Sequence, residues 1–136
     1  MTIKALIWDL EGVLLTSKYP SIEDMMAKNL GVSVEAIGDF FHSDLNDRVD
    51  LGEFPQEVFW LKLLDALGLP SERLADINEF YYRELSIDQD LLEKIKAYRK
   101  RYKTALLSNN SDVLRPMLET RWKVDGAFDE IIISCE

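Results

Sequence analysis

Three short apolar runs constrain this chain more than anything else in it. Residues 3–8, 103–108 and 131–134 are each dominated by Ile, Leu, Ala and Trp and show no clear alternation of apolar with polar side chains. Runs of that length and pattern suit strands covered on both faces of a sheet. Each gives way to polar residues: Asp9-Leu10-Glu11-Gly12, Asn109-Asn110-Ser111 and Cys135-Glu136. Between the second and third lies a segment around 112–122 that reads as a helix, kinked or shortened by Pro116. Before the second, residues 88–102 carry Leu91, Leu92, Ile95 and Tyr98 on one helical face. Their basic end, Arg99-Lys100-Arg101, complements the helix macrodipole. Strand, helix, strand, helix, strand predicts an open parallel α/β sheet with right-handed crossovers.

A helical unit separates the first strand from the rest. Ser21 and Asp24 form an N-cap pair ahead of Met25, Met26 and Leu30, and Gly31 closes that helix. A second helix opens at Ser33 and carries Val34, Ile37, Phe40 and Phe41. A third begins at Pro55 and buries Val58, Phe59, Leu61, Leu64 and Leu67 before Gly68 and Pro70. Ser71 caps a fourth, with Leu74, Ile77, Phe80, Tyr81 and Leu85 on its apolar side, and no strand is expected between 21 and 85. The domain boundaries follow: a discontinuous α/β core over 1–16 and 88–136, and a helical cap over 17–87.

Composition narrows the function. The 136 residues hold 25 Asp plus Glu against 16 Lys plus Arg, a net charge of −9. A field of that sign repels phosphate backbones, so no nucleic-acid partner is expected. No apolar run is long enough to span a bilayer, so no membrane partner is expected either. There is no ordered secretion signal, and the single Cys135 has no partner for an internal disulfide. The expected setting is the cytoplasm. His42 is the only histidine, which excludes a His-based triad or zinc cluster within the chain and reads as a residue of the cap surface.

In open parallel sheets, ligands bind outside the carboxyl ends of the strands. The first such end offers two carboxylates, Asp9 and Glu11, one suited to nucleophilic attack and the other to general acid–base work. The second offers Ser108 and Asn109, neutral donors for the oxygens of a transferring group. The same residues also serve as ordinary loop and cap chemistry; their shared position at strand ends of one sheet makes them candidates. Trp8, Phe59, Trp60, Phe80 and Tyr81 fall at core-like spacings, Met25-Met26 fills gaps and walls the cleft, and Cys135 lacks a partner that would make it a nucleophile. Asp47 and Arg48 fall in an expected exposed loop before Gly52.

Leu6-Ile7-Trp8-Asp9-Leu10-Glu11-Gly12-Val13-Leu14 resembles the first motif of the haloacid dehalogenase (HAD) superfamily, a hydrophobic run followed by Asp-x-Asp-Gly-(Thr/Val)-Leu. Leu106-Leu107-Ser108-Asn109-Asn110-Ser111 resembles its second motif. The inserted helices, with Gly52-Glu53 and Glu57-Val58-Phe59-Trp60, are similar to the cap of the subgroup that places its cap after the first motif. The resemblance covers the whole chain and implies a Rossmann-like, HAD-like core with an inserted α-helical cap. It implies a Mg²⁺-dependent phosphatase acting on a small phosphorylated metabolite through an aspartyl-phosphate on Asp9. Glu11 is the implied acid and base, Asp9 (carboxylate) and Glu11 (carbonyl) the metal ligands, and Ser108 and Asn109 the phosphoryl contacts. Glu11 stands where family phosphatases usually have Asp.

The third-motif Lys and the fourth-motif acidic pair of that family have no counterpart among the 136 residues, so a truncated or partial chain is expected. Its first strand would then be an exposed edge, a template for association into a homodimer. Two alternative functions follow: a haloacid dehalogenase using Asp9 on carbon without a metal, or an inactive truncated relative serving as a binding or dimerisation module.

Overall fold

The computed structural model describes residues 2–136. Strand β1 (Ala5–Trp8) pairs in parallel with β4 (Lys103–Ser108), which pairs in parallel with β5 (Glu130–Ile133). The sheet order is β1-β4-β5, and the register sets Trp8 opposite Leu106 and Ser108 opposite Ile133. All three carboxyl ends therefore open on one side, as the parallel α/β reading requires.

One face of this sheet is covered. Trp8 packs against Tyr98 and Phe128 with ring centroids 6.4 and 6.3 Å apart. Leu106 and Ile133 join the same core as Leu92 and Ile95 of helix α6 (Gln89–Tyr98). The other face is bare: Ile7, Leu107 and Ile132 are 66%, 48% and 54% exposed. Burial on both faces, the sequence expectation, is thus corrected. The apolar residues on the second face have no element of residues 2–136 packed over them.

The helical insertion begins and ends in a feature that the sequence reading did not include. Strand β2 (Leu15–Ser17) pairs antiparallel with β3 (Leu85–Ile87), a small ribbon where the chain leaves and re-enters the sheet domain. Leu85 is thereby a strand residue, not the last apolar position of a helix. Three-residue strands are too short to leave a period of two, and their pairing joins segments seventy residues apart, as in the Thr16 hydroxyl donating to the Ser86 carbonyl at 3.2 Å.

Within the insertion, helix α1 (Ile22–Leu30) starts as predicted: the Ser21 hydroxyl accepts the Asp24 N–H at 3.0 Å and donates to the Asp24 carboxylate at 2.7 Å. Helix α2 (Val34–Phe41) is capped by Ser33, whose hydroxyl accepts the Ala36 N–H at 3.2 Å. Residues expected to form a loop instead form helix α3 (Asp44–Asp50), so Asp47 and Arg48 are helical. With Val49 its only buried residue, α3 has little apolar period to read. Helix α4 (Gln56–Ala66) follows Pro55, and a 3₁₀ turn (Ser71–Arg73) leads into α5 (Leu74–Arg83). Ser71 is the first residue of that turn and makes no side-chain cap. The cap interior is Ile37, Phe59, Trp60, Leu63, Leu64, Ile77 and Tyr81.

In the sheet domain, α6 ends at Tyr98, and Arg99-Lys100-Arg101 lies in the turn beyond it. Pro116 does break the segment before β5, which is one turn of α7 (Leu114–Pro116) followed by a π turn over Met117–Arg121. No helix among the described residues is long and apolar enough to cross a membrane.

Candidate active site

The turn after β1 is built around one carbonyl. Leu10 accepts the N–H groups of Val13, Leu14 and Leu15 at 3.3, 2.9 and 2.8 Å. Gly12 supplies the positive φ of 71° that this tight reversal needs. The arrangement buries Leu10 and Leu14 and leaves Asp9 and Glu11 on either side of Leu10, Asp9 exposed and Glu11 only partly open to solvent, with protein crowded around its carboxylate in the cleft. The Asp9 carboxylate accepts the Leu10 N–H at 2.7 Å. The Glu11 carboxylate accepts from the Asn110 side-chain amide at 3.0 Å, tying the turn after β1 to the turn after β4.

Above these turns lies a cavity of about 300 Å³ between sheet domain and cap. Glu11, Asn109, Asn110 and Ser111 form its floor. Its cap side includes Glu23 of α1, His42 after α2, Asp50 at the end of α3, Gln56 and Trp60 of α4, and Tyr81 of α5. Asp9 is not on its wall; with Ile7, Trp8, Leu107 and Asn109 it lines the adjoining depression. Asn109 borders both. Ser108 is 2% exposed, lines neither, and accepts the Ser134 N–H on its carbonyl at 3.0 Å. Of the four residues expected from sequence, Glu11 and Asn109 therefore meet at the cavity, Asp9 lies beside it, and Ser108 lies beneath.

The cap is pinned over this floor by polar contacts. The Gln56 N–H at the start of α4 donates to the Asp112 carboxylate at 2.9 Å. The Ser134 hydroxyl donates to the Asp50 carbonyl at 2.5 Å and accepts the Asn110 N–H at 3.0 Å. Within the cap, the Tyr82 hydroxyl of α5 donates to the Gln56 side-chain oxygen of α4 at 2.5 Å. Sequence reasoning missed Asp50, Gln56, Tyr81 and Asn110 as site residues, because three of them lie on cap helices whose approach to the sheet is a tertiary matter. Asn110 sits within the quoted second motif, one residue beyond the position chosen.

Electrostatically the site is acidic. Burial against the protein around the cleft, then the Asp50 and Asp9 charges, raise the Glu11 pKa, and the Asn110 hydrogen bond only partly offsets them. Desolvation, then Asp47, pushes Asp50 up to about 6. Burial, reinforced by Glu11 and Asp50, holds the Tyr81 phenol well above its ordinary value, so it is a donor at neutral pH. Burial also raises the Cys135 thiol, in keeping with a cysteine that is no nucleophile.

Solved structures share this architecture. A HAD family enzyme from Bacteroides thetaiotaomicron, solved in complex with magnesium and inorganic phosphate, superposes with a TM-score of 0.75 at 21% identity, over 98% of this chain and 70% of its own. It has the HAD-like fold. A predicted HAD-like family hydrolase from Porphyromonas gingivalis matches with a TM-score of 0.69 at 22% identity, over 98% of this chain and 67% of its own. The L-2-haloacid dehalogenase of Xanthobacter autotrophicus, with chloropropionic acid covalently bound, matches with a TM-score of 0.61 at 22% identity, over 97% of this chain and 57% of its own. No family model and no curated protein matches the sequence. In the HAD-like fold, the turn after β1 holds the residues whose sequence resembles the first HAD motif, the turn after β4 those that resemble the second, and helices α1–α5 form the helical insertion between them.

Among the described residues no group of three or more His, Cys, Asp or Glu could hold a metal ion. Mg²⁺ ordinarily takes one or two carboxylates and fills the rest of its shell with water and substrate phosphate. The Asp9 carboxylate and the Glu11 carbonyl, at the end of one strand, fit such a partial oxygen shell. Among the turn hydrogen bonds that hold this loop, the Glu11 carbonyl accepts none.

Proposed function

We propose that the protein is a HAD-like hydrolase, a Mg²⁺-dependent phosphatase of a small phosphate monoester. The observation that carries this reading is the Glu11–Asn110 hydrogen bond at the floor of the capped cavity. It joins the two strand-end turns that the resemblance names, with Asp9 beside them.

In this reading an Asp9 carboxylate oxygen attacks phosphorus and the ester oxygen departs, leaving an aspartyl-phosphate. The Glu11 carboxyl gives its proton to the departing oxygen. It then accepts one from the water that attacks the aspartyl-phosphate, releasing inorganic phosphate and restoring Asp9. The raised pKa of Glu11 suits the first of these tasks, since a carboxyl that keeps its proton nearer neutrality is a better acid there. Asn109, which borders both the cavity and the depression, is the proposed holder of phosphoryl oxygens; Ser108, the other candidate from sequence, is buried beneath it and would have to be uncovered to share that role. Mg²⁺, held by the Asp9 carboxylate and the Glu11 carbonyl, would supply charge neutralisation and orientation. The cap excludes water and selects the leaving group.

The sheet domain in this reading comprises 1–16 and 88–136, the cap 17–87, and the setting is cytoplasmic, consistent with a single cysteine. Association of two copies through the open edge of β1 belongs to the same proposal.

The decisive experiment is hydrolysis of p-nitrophenyl phosphate with Mg²⁺ by the wild type and Asp9→Asn. The variant is expected to lose about a thousandfold or more in rate while keeping its circular dichroism spectrum. Equal rates in the two proteins overturn the reading.

A further inference from the structure

The run Arg99-Lys100-Arg101-Tyr102-Lys103 takes no part in the strand-end site. Four of its five residues are basic, in a chain of net charge −9. A basic run after a helix ordinarily answers the last carbonyls of that helix, but here the backbone does so. The Ile95 carbonyl accepts the Arg99 N–H at 3.0 Å, and the Ala97 carbonyl accepts the Lys100 N–H at 3.3 Å. The Tyr98 carbonyl accepts the N–H groups of Arg101 and Tyr102, both at 2.9 Å. The basic side chains are left without that role.

They gather instead at the amino ends of β1 and β4. The Lys103 N–H donates to the Lys4 carbonyl at 3.0 Å, which sets two lysines on adjacent strands side by side. Lys4, Arg99, Arg101, Tyr102, Lys103 and Asp129 line an open hollow of about 300 Å³. Asp129 is the one acid on its wall, and both of its oxygens already accept hydrogen bonds. One takes the Arg99 Nε–H at 3.1 Å; the other takes the Thr104 N–H at 2.9 Å and the Thr104 hydroxyl at 3.3 Å. The Gly126 carbonyl accepts from Arg99 Nη1 at 2.5 Å, so the guanidinium is fixed from two sides. Among the described residues, Lys4, Arg101 and Lys103 form no ion pair.

Four cations around one hollow repel one another, and a bound anion relieves that repulsion. A guanidinium held in place by other contacts is suited to phosphate oxygens. Linked phosphates bring several negative charges within a few ångströms, which matches cations gathered around one point. An acidic protein segment would be matched by cations spread along a stripe. We infer that this hollow binds an oligophosphate chain, free or carried by a nucleotide, with Arg99 as its fixed contact and Lys4, Arg101 and Lys103 around it. The length of β4 puts it about 17 Å from the strand-end turns. It is a second anion site, and it does not depend on the phosphatase reading.

The test is calorimetric titration of the full chain in EDTA, without Mg²⁺, with sodium tripolyphosphate, ATP, inorganic phosphate and citrate. Tripolyphosphate or ATP is expected to bind at least about tenfold more tightly than phosphate or citrate. The tighter of the two identifies a free or a nucleotide-borne chain. Lys4 and Arg101 are exposed, so the double variant Lys4→Gln, Arg101→Gln should keep the circular dichroism spectrum while losing about tenfold or more in affinity. A charge-matched control, Lys28→Gln with Lys62→Gln on exposed positions of the cap, should change it less than about twofold. Amide shifts on adding the ligand should centre on residues 99–104. Citrate binding as tightly as tripolyphosphate overturns the inference, as does no binding at millimolar concentration. So does an equal loss in the control, or a shift pattern centred on 109–111. Loss of p-nitrophenyl phosphate turnover in Asp9→Asn bears on the phosphatase reading alone, since that variant should bind tripolyphosphate as the wild type does.

Discussion

Asp50 and Gly52, two residues apart at the end of α3, illustrate how single positions carry the contact between cap and sheet domain. The Asp50 carboxyl has its pKa raised from 3.8 to about 6 by desolvation and by Asp47. The folded chain therefore binds this proton more firmly than the unfolded chain. Its contribution to stability is fully present below about pH 4 and is lost as pH rises through 6. Asp50→Asn should flatten that fall and make the protein more stable at pH 7 by about 1 kcal/mol, a value discounted for the half-exposed side chain; urea unfolding at pH 4 and pH 7 checks both sign and size. Gly52 adopts φ of 74°, and a Cβ there would lie 2.6 Å from the Cys135 carbonyl oxygen. Backbone cannot yield as a flexible side chain does, so Gly52→Ala combines left-handed strain with a clash. A loss of about 2–4 kcal/mol is expected in the same assay, and a variant as stable as wild type would show that this approach of cap to strand end is dispensable.

Helix α4 enters the cap without a side-chain cap of its own, since Pro55 has none to offer. Its first N–H is answered from the other domain by Asp112, so a local capping need is met by a tertiary contact. Asp112→Ala should cost about 1 kcal/mol, as loss of an ordinary N-cap does. It should also loosen the cap, measured as faster amide exchange over α4 than over α6, whose own cap, Asp88 to the Leu91 N–H at 2.9 Å, is local. The same contrast explains which elements were legible. Helices α1, α2 and α6 carry their own cap residues in sequence, and β4 was readable to the residue. The ribbon β2–β3 and helix α3 carry too few apolar residues to set a period, so pairing and packing decide them.

At the scale of the whole molecule, residues 2–136 leave the sheet with one covered face and one bare one. Ile7, Leu107 and Ile132 lie on the bare face, one on each strand, with Ile7 on the edge strand β1. Such an edge and patch favour association. Sedimentation velocity of the 136-residue chain should show species above the monomer mass, and Ile7→Lys should shift them toward monomer without changing the helical circular dichroism signal. A monomeric wild type would sink the proposed pairing through β1.

The sequence by itself determined the parallel α/β sheet, the helical insertion, and the polar turns at the carboxyl ends of the strands. Each of those rests on a local pattern: an apolar run, a 3.6-residue period, a cap pair, a motif of consecutive residues. The placing of Asp9, Glu11 and Asn109 at strand ends was legible for the same reason. Tertiary structure alone decided that Asn110 reaches Glu11, that Ser108 lies beneath the site, and that Asp50, Trp60 and Tyr81 come from three separate cap helices to one cavity. Burial at a distance leaves no period in the chain. An aromatic residue that lines a cavity and one that fills a core look alike in sequence, because both are selected for apolar area, and only the packing of the cap against the sheet domain tells them apart.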